Sequence, residues 1–359
     1  MNQDMKQNKN HYCIIMAGGI GSRFWPLSRT EKPKQFVDIL GVGRTFIQMT
    51  FDRFAPFIPK ENFMVVTGEV YKELVLEQLP QLTEQQVLLE PARRNTAPCL
   101  AYAAYKLQKQ NPNAVMVVTP ADHLILDTAT FSQVMQEGLQ HAQENDHLLT
   151  IGITPSFPST GYGYIDVADT QATFSKVAQF KEKPDYDTAV QFIQEGNYRW
   201  NSGMFIWSVK AIDAALQQHL PTVSELFRSA NQYYYTPDEQ ENVNKVYLAS
   251  QSISIDYGIM EKADNVYVRS ADFGWSDLGT WTSLYEQSTK DEADNVLSGD
   301  DILATDTHNC LVKQLNTHKR IVIDGVKDLL VVDTHDVLLI CDRTDEDHVK
   351  TVIDRATKT

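Results

Sequence analysis

The residues most able to do chemistry lie near the start, where the chain reads Ala17-Gly18-Gly19-Ile20-Gly21-Ser22-Arg23-Phe24-Trp25-Pro26-Leu27-Ser28-Arg29-Thr30-Glu31-Lys32-Pro33-Lys34-Gln35-Phe36. Glycines let backbone N–H groups turn inward and a ligand approach closely, which makes an anion-binding concavity. Arg23, Arg29, Lys32 and Lys34 stand against a single acid, Glu31, so the segment carries a local +3. The whole chain of 359 residues has 32 Lys and Arg against 47 Asp and Glu, a net charge of −15. Such a local reversal of sign is what a polyphosphate site needs. Two commoner phosphate loops are excluded. No Lys-Ser/Thr follows the glycines, as a Walker A loop requires, and Phe24 stands where the dinucleotide fingerprint needs its third glycine.

Phosphate chemistry of this kind also needs carboxylates for a divalent ion. Asp122, in Thr119-Pro120-Ala121-Asp122-His123, sits just past an apolar run, and Asp277 lies in Gly274-Trp275-Ser276-Asp277-Leu278-Gly279-Thr280. Either aspartate could instead serve as a helix cap or turn residue. His123 is left structural, because Mg2+ prefers oxygen donors. Two aspartates 155 positions apart can share an ion only if the fold converges them.

Positioning such groups takes a strand-and-helix scaffold. Tyr12 to Met16 is a short apolar run that opens into the glycine turn, and similar runs follow at 63–67, 114–119 and 147–153. Between them lie helical patterns such as 97–110, where Leu100, Ala103, Ala104 and Leu107 share a face. This alternation predicts an α/β domain with a mostly parallel sheet whose strand C-terminal ends and following loops line one edge. Near residue 288 the character changes to short strand-like stretches at 310–314, 320–323, 329–332 and 337–340, closed by a helix over 345–356. The expected organisation is a flexible polar lead (1–11), a catalytic domain (12–288) and a small β-rich domain (289–359).

Composition narrows the function classes. With 42% hydrophobic and 22% charged residues the chain is globular. Its acidity argues against nonspecific nucleic-acid binding, and no apolar run approaches the roughly 20 residues of a membrane helix. The polar N-terminus has no apolar stretch of a secretory signal. Cys13, Cys99, Cys310 and Cys341 are too scattered for a structural zinc site and are expected to be reduced thiols in a cytoplasmic protein.

Gly18-Gly19-x-Gly21-x-Arg23, followed by Pro26-Leu27 and Pro33-Lys34, resembles the signature of the sugar nucleotidyltransferases. Trp25, Ser28-Arg29 and Lys34-Gln35-Phe36 are similar to its mannose-1-phosphate guanylyltransferase branch, and further landmarks extend the match from about residue 12 to 285. The resemblance implies a Rossmann-like domain with a mixed, mostly parallel sheet and a C-terminal β-helix-like domain ending in a helix. It implies GTP and mannose 1-phosphate as substrates and Mg2+ as cofactor. The apolar strands of the tail must pack on something, the catalytic domain or a partner chain, and a homodimer is the expectation. The resemblance places Gly18, Gly19, Gly21, Ser22 and Arg23 on the nucleotide, with Arg23 and Lys34 holding the triphosphate and Asp122 and Asp277 the metal. Phe180-Lys181-Glu182-Lys183-Pro184 resembles the sugar-phosphate element, with Lys183 on the phosphate and Glu182 on sugar hydroxyls. Lys181 replaces the usual valine and is therefore expected on the surface. Gly163, in Thr160-Gly161-Tyr162-Gly163, and Asn201, in Trp200-Asn201-Ser202-Gly203, resemble sugar-pocket residues, although Tyr162 and Trp200 also fit a plain core. Glu90, Asn95 and Thr96, in Glu90-Pro91-Ala92-Arg93-Arg94-Asn95-Thr96, match the base-binding segment. Two alternatives stay open: a nucleotidyltransferase for another sugar phosphate, and a catalytically silent subunit that binds a nucleotide sugar.

Overall fold

The computed structural model describes residues 7–19, 22–315 and 318–357. The chain divides into two compact units that do not follow one cut in the sequence. The first comprises residues 1–18, 47–121 and 125–275, and the second residues 19–46, 122–124 and 276–359.

The first unit is built on nine strands: β1 (His11–Met16), β2 (Phe63–Gly68), β3 (Val87–Glu90), β4 (Val115–Pro120), β5 (Leu148–Ile153), β6 (Tyr164–Val167), β7 (Ser175–Lys181), β8 (Tyr198–Ser208) and β9 (Val266–Ala271). Their spatial order is β3-β2-β1-β4-β8-β5-β9-β7-β6. The sheet is mixed. β3, β2, β1 and β4 run parallel, as the strand–helix alternation predicts, and β5 pairs parallel with β9. The long β8 lies antiparallel between β4 and β5, and β6 and β7 extend the sheet antiparallel. Strands buried on both faces explain the near-continuous apolar runs. The helix read at 97–110 spans Thr96–Gln110, with Leu100, Ala103, Ala104 and Leu107 all in the core.

The polar lead is fastened where it is described. The Asn8 amide donates to Gln143 Oε1 at 3.0 Å, the Gln7 amide to the Ala55 carbonyl at 3.1 Å, and His11 already belongs to β1. The sheet therefore begins one residue before the expected boundary at 12. Residues 1–6 lie outside the described residues.

The second unit carries the β-helix-like coil. Strands β10 (Val296–Ser298), β12 (Leu311–Gln314) and β14 (Leu329–Asp333) stack in parallel, with Val296 opposite Leu311 and Leu311 opposite Leu330. On another face β11 (Ile302–Thr305) pairs parallel with β13 (Ile321–Asp324), and β15 (Leu338–Asp342) closes antiparallel on β14. Inside, Cys310, Val312 and Val331 pack with Ile302, Ile321 and Ile323. The closing helix, Glu346–Ala356, is capped by Asp345, whose carboxylate accepts from His348 N at 2.9 Å. Val349 and Ile353, one helical turn apart, reach the unit's main core. The same core contains Phe24, Val37, Ile39 and Phe46, so the basic signature segment is packed on the coil.

All four cysteines are free thiols, three of them buried. No helix among the described residues is long and apolar enough to cross a membrane.

Candidate active site

In the second unit Lys34 is the focus. Pro33 precedes a single 3-10 turn, Lys34–Phe36, that turns the side chain inward, leaving Lys34 3% exposed. Its ammonium donates to Asp122 Oδ2 at 3.2 Å and to the Asp277 carbonyl at 2.6 Å. Its flanks are aromatic, with the nitrogen 5.1 Å from the Phe46 ring centre and 5.7 Å from that of Phe24. The fold thus brings Asp122 and Asp277, far apart in sequence, onto one cation. Burial pushes the Asp122 carboxyl up, but Lys34, His123 and hydrogen bonding outweigh it and leave the group below the ordinary aspartate value.

Neither aspartate is a helix cap. Asp127 caps helix Thr128–Glu144, and Thr280 caps helix Trp281–Gln287, its hydroxyl accepting from Ser283 N at 3.2 Å. Asp277 Oδ1 accepts from Gly279 N at 3.1 Å, and the next residue, Leu278, is held at φ +42. A Cβ on Gly279 would lie 3.0 Å from Asp277 Oδ2 and 3.4 Å from Arg23 Nη1, so Arg23 belongs to the same neighbourhood. Arg23 is exposed and borders a cavity of about 330 Å3 that Thr280, Thr282 and Lys350 also line. Gly19 accepts from the Gln35 amide at 2.9 Å through its carbonyl, and a Cβ there would meet nothing within 4 Å. Packing does not demand that glycine, which leaves its backbone open to close approach. Gly21 and the side chain of Ser22 lie outside the described residues. Arg29, counted above among the local cations, is spent on a carboxylate: it pairs with Asp336 at 2.6 Å.

In the first unit, Gly18 lies just past β1 and Glu90 ends β3, the two strands that flank β2. A Cβ on Gly18 would stand 3.0 Å from Glu90 Oε2, the close approach that calls for glycine there. Tyr247 donates its hydroxyl to Glu90 Oε1 at 3.0 Å. Burial raises the Glu90 carboxyl to about 7, against the lowering by Tyr247 and Arg93. Asn95, at φ +63, caps helix Thr96–Gln110 by accepting from Thr96 N, and the Thr96 hydroxyl accepts from Ile255 N at 2.8 Å. Those oxygens hold the segment in place.

A second cluster of the first unit joins Gly163, Glu182, Lys183 and Asn201. Asn201 N donates to the Gly163 carbonyl at 2.8 Å, and a Cβ on Gly163 would collide with Glu182 Oε2. Lys183, at φ +45, pairs with Glu182 Oε1 at 3.3 Å. Positive φ in a non-glycine residue costs about 1–3 kcal/mol and persists only where the surroundings impose it. Lys181 is exposed, as expected. Tyr162 and Trp200 pack edge to face 5.0 Å apart, and Tyr162 packs likewise on Trp275 at 5.2 Å, an aromatic cluster in which Trp200 is buried.

Sequence reading missed the group this cluster closes on. Asp256 lies on a π-helical turn, Asp256–Met260, and accepts from the Asn201 amide at 2.9 Å. Burial, then the charge of Glu182, raises its carboxyl to about 6. Asn201 Oδ1 is fixed by the Thr150 hydroxyl at 3.1 Å. The only signal in the sequence was an acid inside the apolar run Ile255-Asp256-Tyr257-Gly258-Ile259-Met260.

The second unit gathers cations with two aspartate segments, and the first holds a buried glutamate and a polar cluster suited to hydroxyls. The family model for nucleotidyl transferases matches residues 12–294. The chain belongs to the nucleotidyl transferase family. This nucleotidyltransferase also matches the model of the MannoseP isomerase/GMP-like beta-helix domain over residues 300–356, in agreement with the coil and its closing helix. It is 37% identical over 348 residues to the mannose-1-phosphate guanylyltransferase of Klebsiella pneumoniae, covering 95% of this chain and 73% of that one. It is 36% identical to the alginate biosynthesis protein AlgA of Pseudomonas aeruginosa, covering 95% of this chain and 71% of that one. Among solved structures it resembles a Thermus thermophilus protein described as a mannose-1-phosphate geranyltransferase, with a TM-score of 0.86, 30% identity, and coverage of 97% of this chain and 99% of that one.

Proposed function

We propose that this nucleotidyltransferase transfers GMP from GTP to α-D-mannose 1-phosphate, giving GDP-mannose and pyrophosphate. A phosphate oxygen of the sugar phosphate attacks the α-phosphorus in line, the bond to the β-phosphate bridging oxygen breaks, and its electrons leave on pyrophosphate. The attacking oxygen is already ionised, so the protein need supply no nucleophile; positioning and charge neutralisation do the work. The observation that carries the reading is Lys34, the signature lysine, bound to both Asp122 and the Asp277 main chain. The guanylyltransferase names of the relatives support the choice of substrates.

In this reading Lys34 and Arg23 neutralise the triphosphate, Lys183 the sugar phosphate, and Glu182, Asn201 and Asp256 accept from or donate to sugar hydroxyls. Among the described residues no three His, Cys, Asp or Glu side chains cluster to hold a metal alone. Asp122 and Asp277 fit Mg2+, which takes few protein carboxylates and fills its remaining positions with water and phosphate oxygens. Mg2+ bound there would offset charge on the phosphate oxygens. A homodimer is part of the same reading, and light scattering that gives the monomer mass would overturn it.

The deciding experiment is pyrophosphate release with Mg2+, GTP and mannose 1-phosphate, compared with glucose 1-phosphate and with ATP, UTP, CTP and dTTP. Strong release with GTP and mannose 1-phosphate alone is expected. Release with another pair would change the substrate, and folded protein inactive with every pair would sink the enzymatic reading.

Glu90 is read as the acceptor for the guanine N1–H and amino group, held by Tyr247. Glu90→Gln turns one acceptor into a donor, so kcat/KM for GTP should fall by roughly 10–100-fold, the order expected when one base-edge hydrogen bond is mismatched. KM for mannose 1-phosphate should change much less. Equal changes in the two KM values would remove Glu90 from base recognition.

Asp256 yields a pH prediction. Its carboxyl is raised to about 6, so it is ionised above that pH and neutral below it. As an acceptor for a sugar hydroxyl it weakens on protonation, and KM for mannose 1-phosphate should rise as the pH falls through about 6 while KM for GTP changes less. Asp256→Asn should flatten that limb, and a profile unchanged by the substitution would refute the assignment.

A further inference from the structure

A bidentate polar contact adds to the packing of the signature segment on the coil. Arg29 donates through its two terminal nitrogens to the two oxygens of Asp336, at 2.8 and 2.6 Å, and through Nε to the Pro26 carbonyl at 3.2 Å. Asp336 stands in the turn between β14 and β15, where Thr334 N donates to the Val337 carbonyl at 2.8 Å. The Thr334 hydroxyl accepts from Val337 N at 3.1 Å and lies 3.0 Å from the Val337 carbonyl and 3.1 Å from Asp336 Oδ1, so Asp336 sits in a closed turn.

Beyond Arg29 the chain has little slack. Arg29 and Lys32 exchange two backbone hydrogen bonds, each of 3.1 Å, closing a tight turn around Thr30 and Glu31. Pro33 fixes its own φ, and the next side chain is the buried Lys34. An unbroken series of contacts therefore runs from the turn of the coil, through a guanidinium and a closed turn, to the ammonium that meets Asp122 and Asp277.

The side chains of Arg29 and Asp336 are 36% and 51% exposed. Exposed ion pairs add little stability, but a bidentate guanidinium–carboxylate pair fixes orientation as well as distance. We infer that Asp336 is a positioning residue: through Arg29 it sets the Arg29–Lys34 run so that Lys34 reaches the two acidic segments. The C-terminal coil is thereby a working part of the phosphate site, and its contribution is direct contact with the signature segment. The inference deepens the proposed function and, for its kinetic arm, rests on it.

The test uses the full chain with Asp336→Asn, Asp336→Glu and the swap Arg29→Asp with Asp336→Arg. Pyrophosphate release gives kcat and both KM values, and mass spectrometry follows acylation of Lys34 by an amine-reactive ester. Asp336→Asn should lower kcat/KM for GTP by about tenfold, within what a small misplacement of a positioning element costs. KM for mannose 1-phosphate should stay within about twofold. Lys34 should acylate severalfold faster while the melting temperature holds. The glutamate variant and the swap should each recover much of the loss. Unchanged kinetics and labelling in Asp336→Asn would overturn the inference. So would a loss that follows the melting temperature and that the swap fails to restore. If the wild type releases no pyrophosphate with any pair, the functional reading falls, and the acylation of Lys34 decides the clamp alone.

Discussion

Lys34→Met is expected to lower turnover by about a hundredfold or more, the size of loss seen when a preorganised charge or donor is removed from a reacting centre. Lys34 is 3% exposed, and its ammonium points at Asp122 and at the Asp277 carbonyl. Methionine fills nearly the same volume between Phe24 and Phe46 and packs well on aromatic rings, so the hydrophobic core around it persists. What disappears is the positive charge and its donors. A second signature follows from the same contact. Lys34 is the strongest of the influences that hold the Asp122 carboxyl below its ordinary value. Removing it takes away that lowering, so the carboxyl rises and the acid limb of the pH–rate profile moves to higher pH. Stopped-assay pyrophosphate release across roughly pH 5 to 9, bracketing the shifted carboxyl and neutrality, with near-ultraviolet circular dichroism as the check on folding, measures both. Turnover close to wild type in a folded variant would remove Lys34 from the mechanism.

What could be read from the sequence was what depends on local chemistry. The glycine-and-cation segment announced itself by residue type and by reversal of the overall charge, and the apolar runs announced the parallel half of the sheet. Pro33 and Lys34 were legible as a pair because proline dictates the turn that buries the lysine. Contacts made at long range were not legible. The place of β8 between β4 and β5 depends on partners about 50 or more positions away. Asp256 looked like one polar residue in an apolar run, because its neighbours Asn201 and Glu182 arrive from distant segments. Arg29 entered only as part of the local charge, since nothing near it in the chain hints at Asp336, 307 positions on.

The compact units make the same point about organisation. A change of pattern near residue 288 marks where helices give way to coil, and the two family models divide nearby, between residues 294 and 300. Yet the signature segment shares its core with the coil, Phe24 and Phe46 lying among Leu311, Leu330 and Val332. A domain boundary drawn along the sequence follows the kind of local structure, whereas compactness follows which apolar faces meet. Mutations in the coil therefore reach the packing of the signature segment.

Asp277→Ala should lower turnover at least tenfold with the fold intact, and its combination with Asp122→Asn tells whether the two acids act as a pair. The fold should survive because neither carboxylate caps a helix, Thr280 and Asp127 having that task. In the proposed site each carboxylate lost would weaken the hold on Mg2+, so each single variant should need a higher Mg2+ concentration for half-maximal rate. If both hold one ion, losing the first removes most of what the second contributed. The double variant should then fall well short of the product of the single losses, because groups that act as one unit are not additive. Independent roles would give losses that multiply. The magnesium titration separates this from a purely electrostatic part played by Asp277 beside Arg23, which would lower the maximal rate and leave the Mg2+ requirement where it was. A multiplicative double variant with an unmoved Mg2+ midpoint would dismiss the shared ion and leave two aspartates that meet at Lys34 for separate reasons.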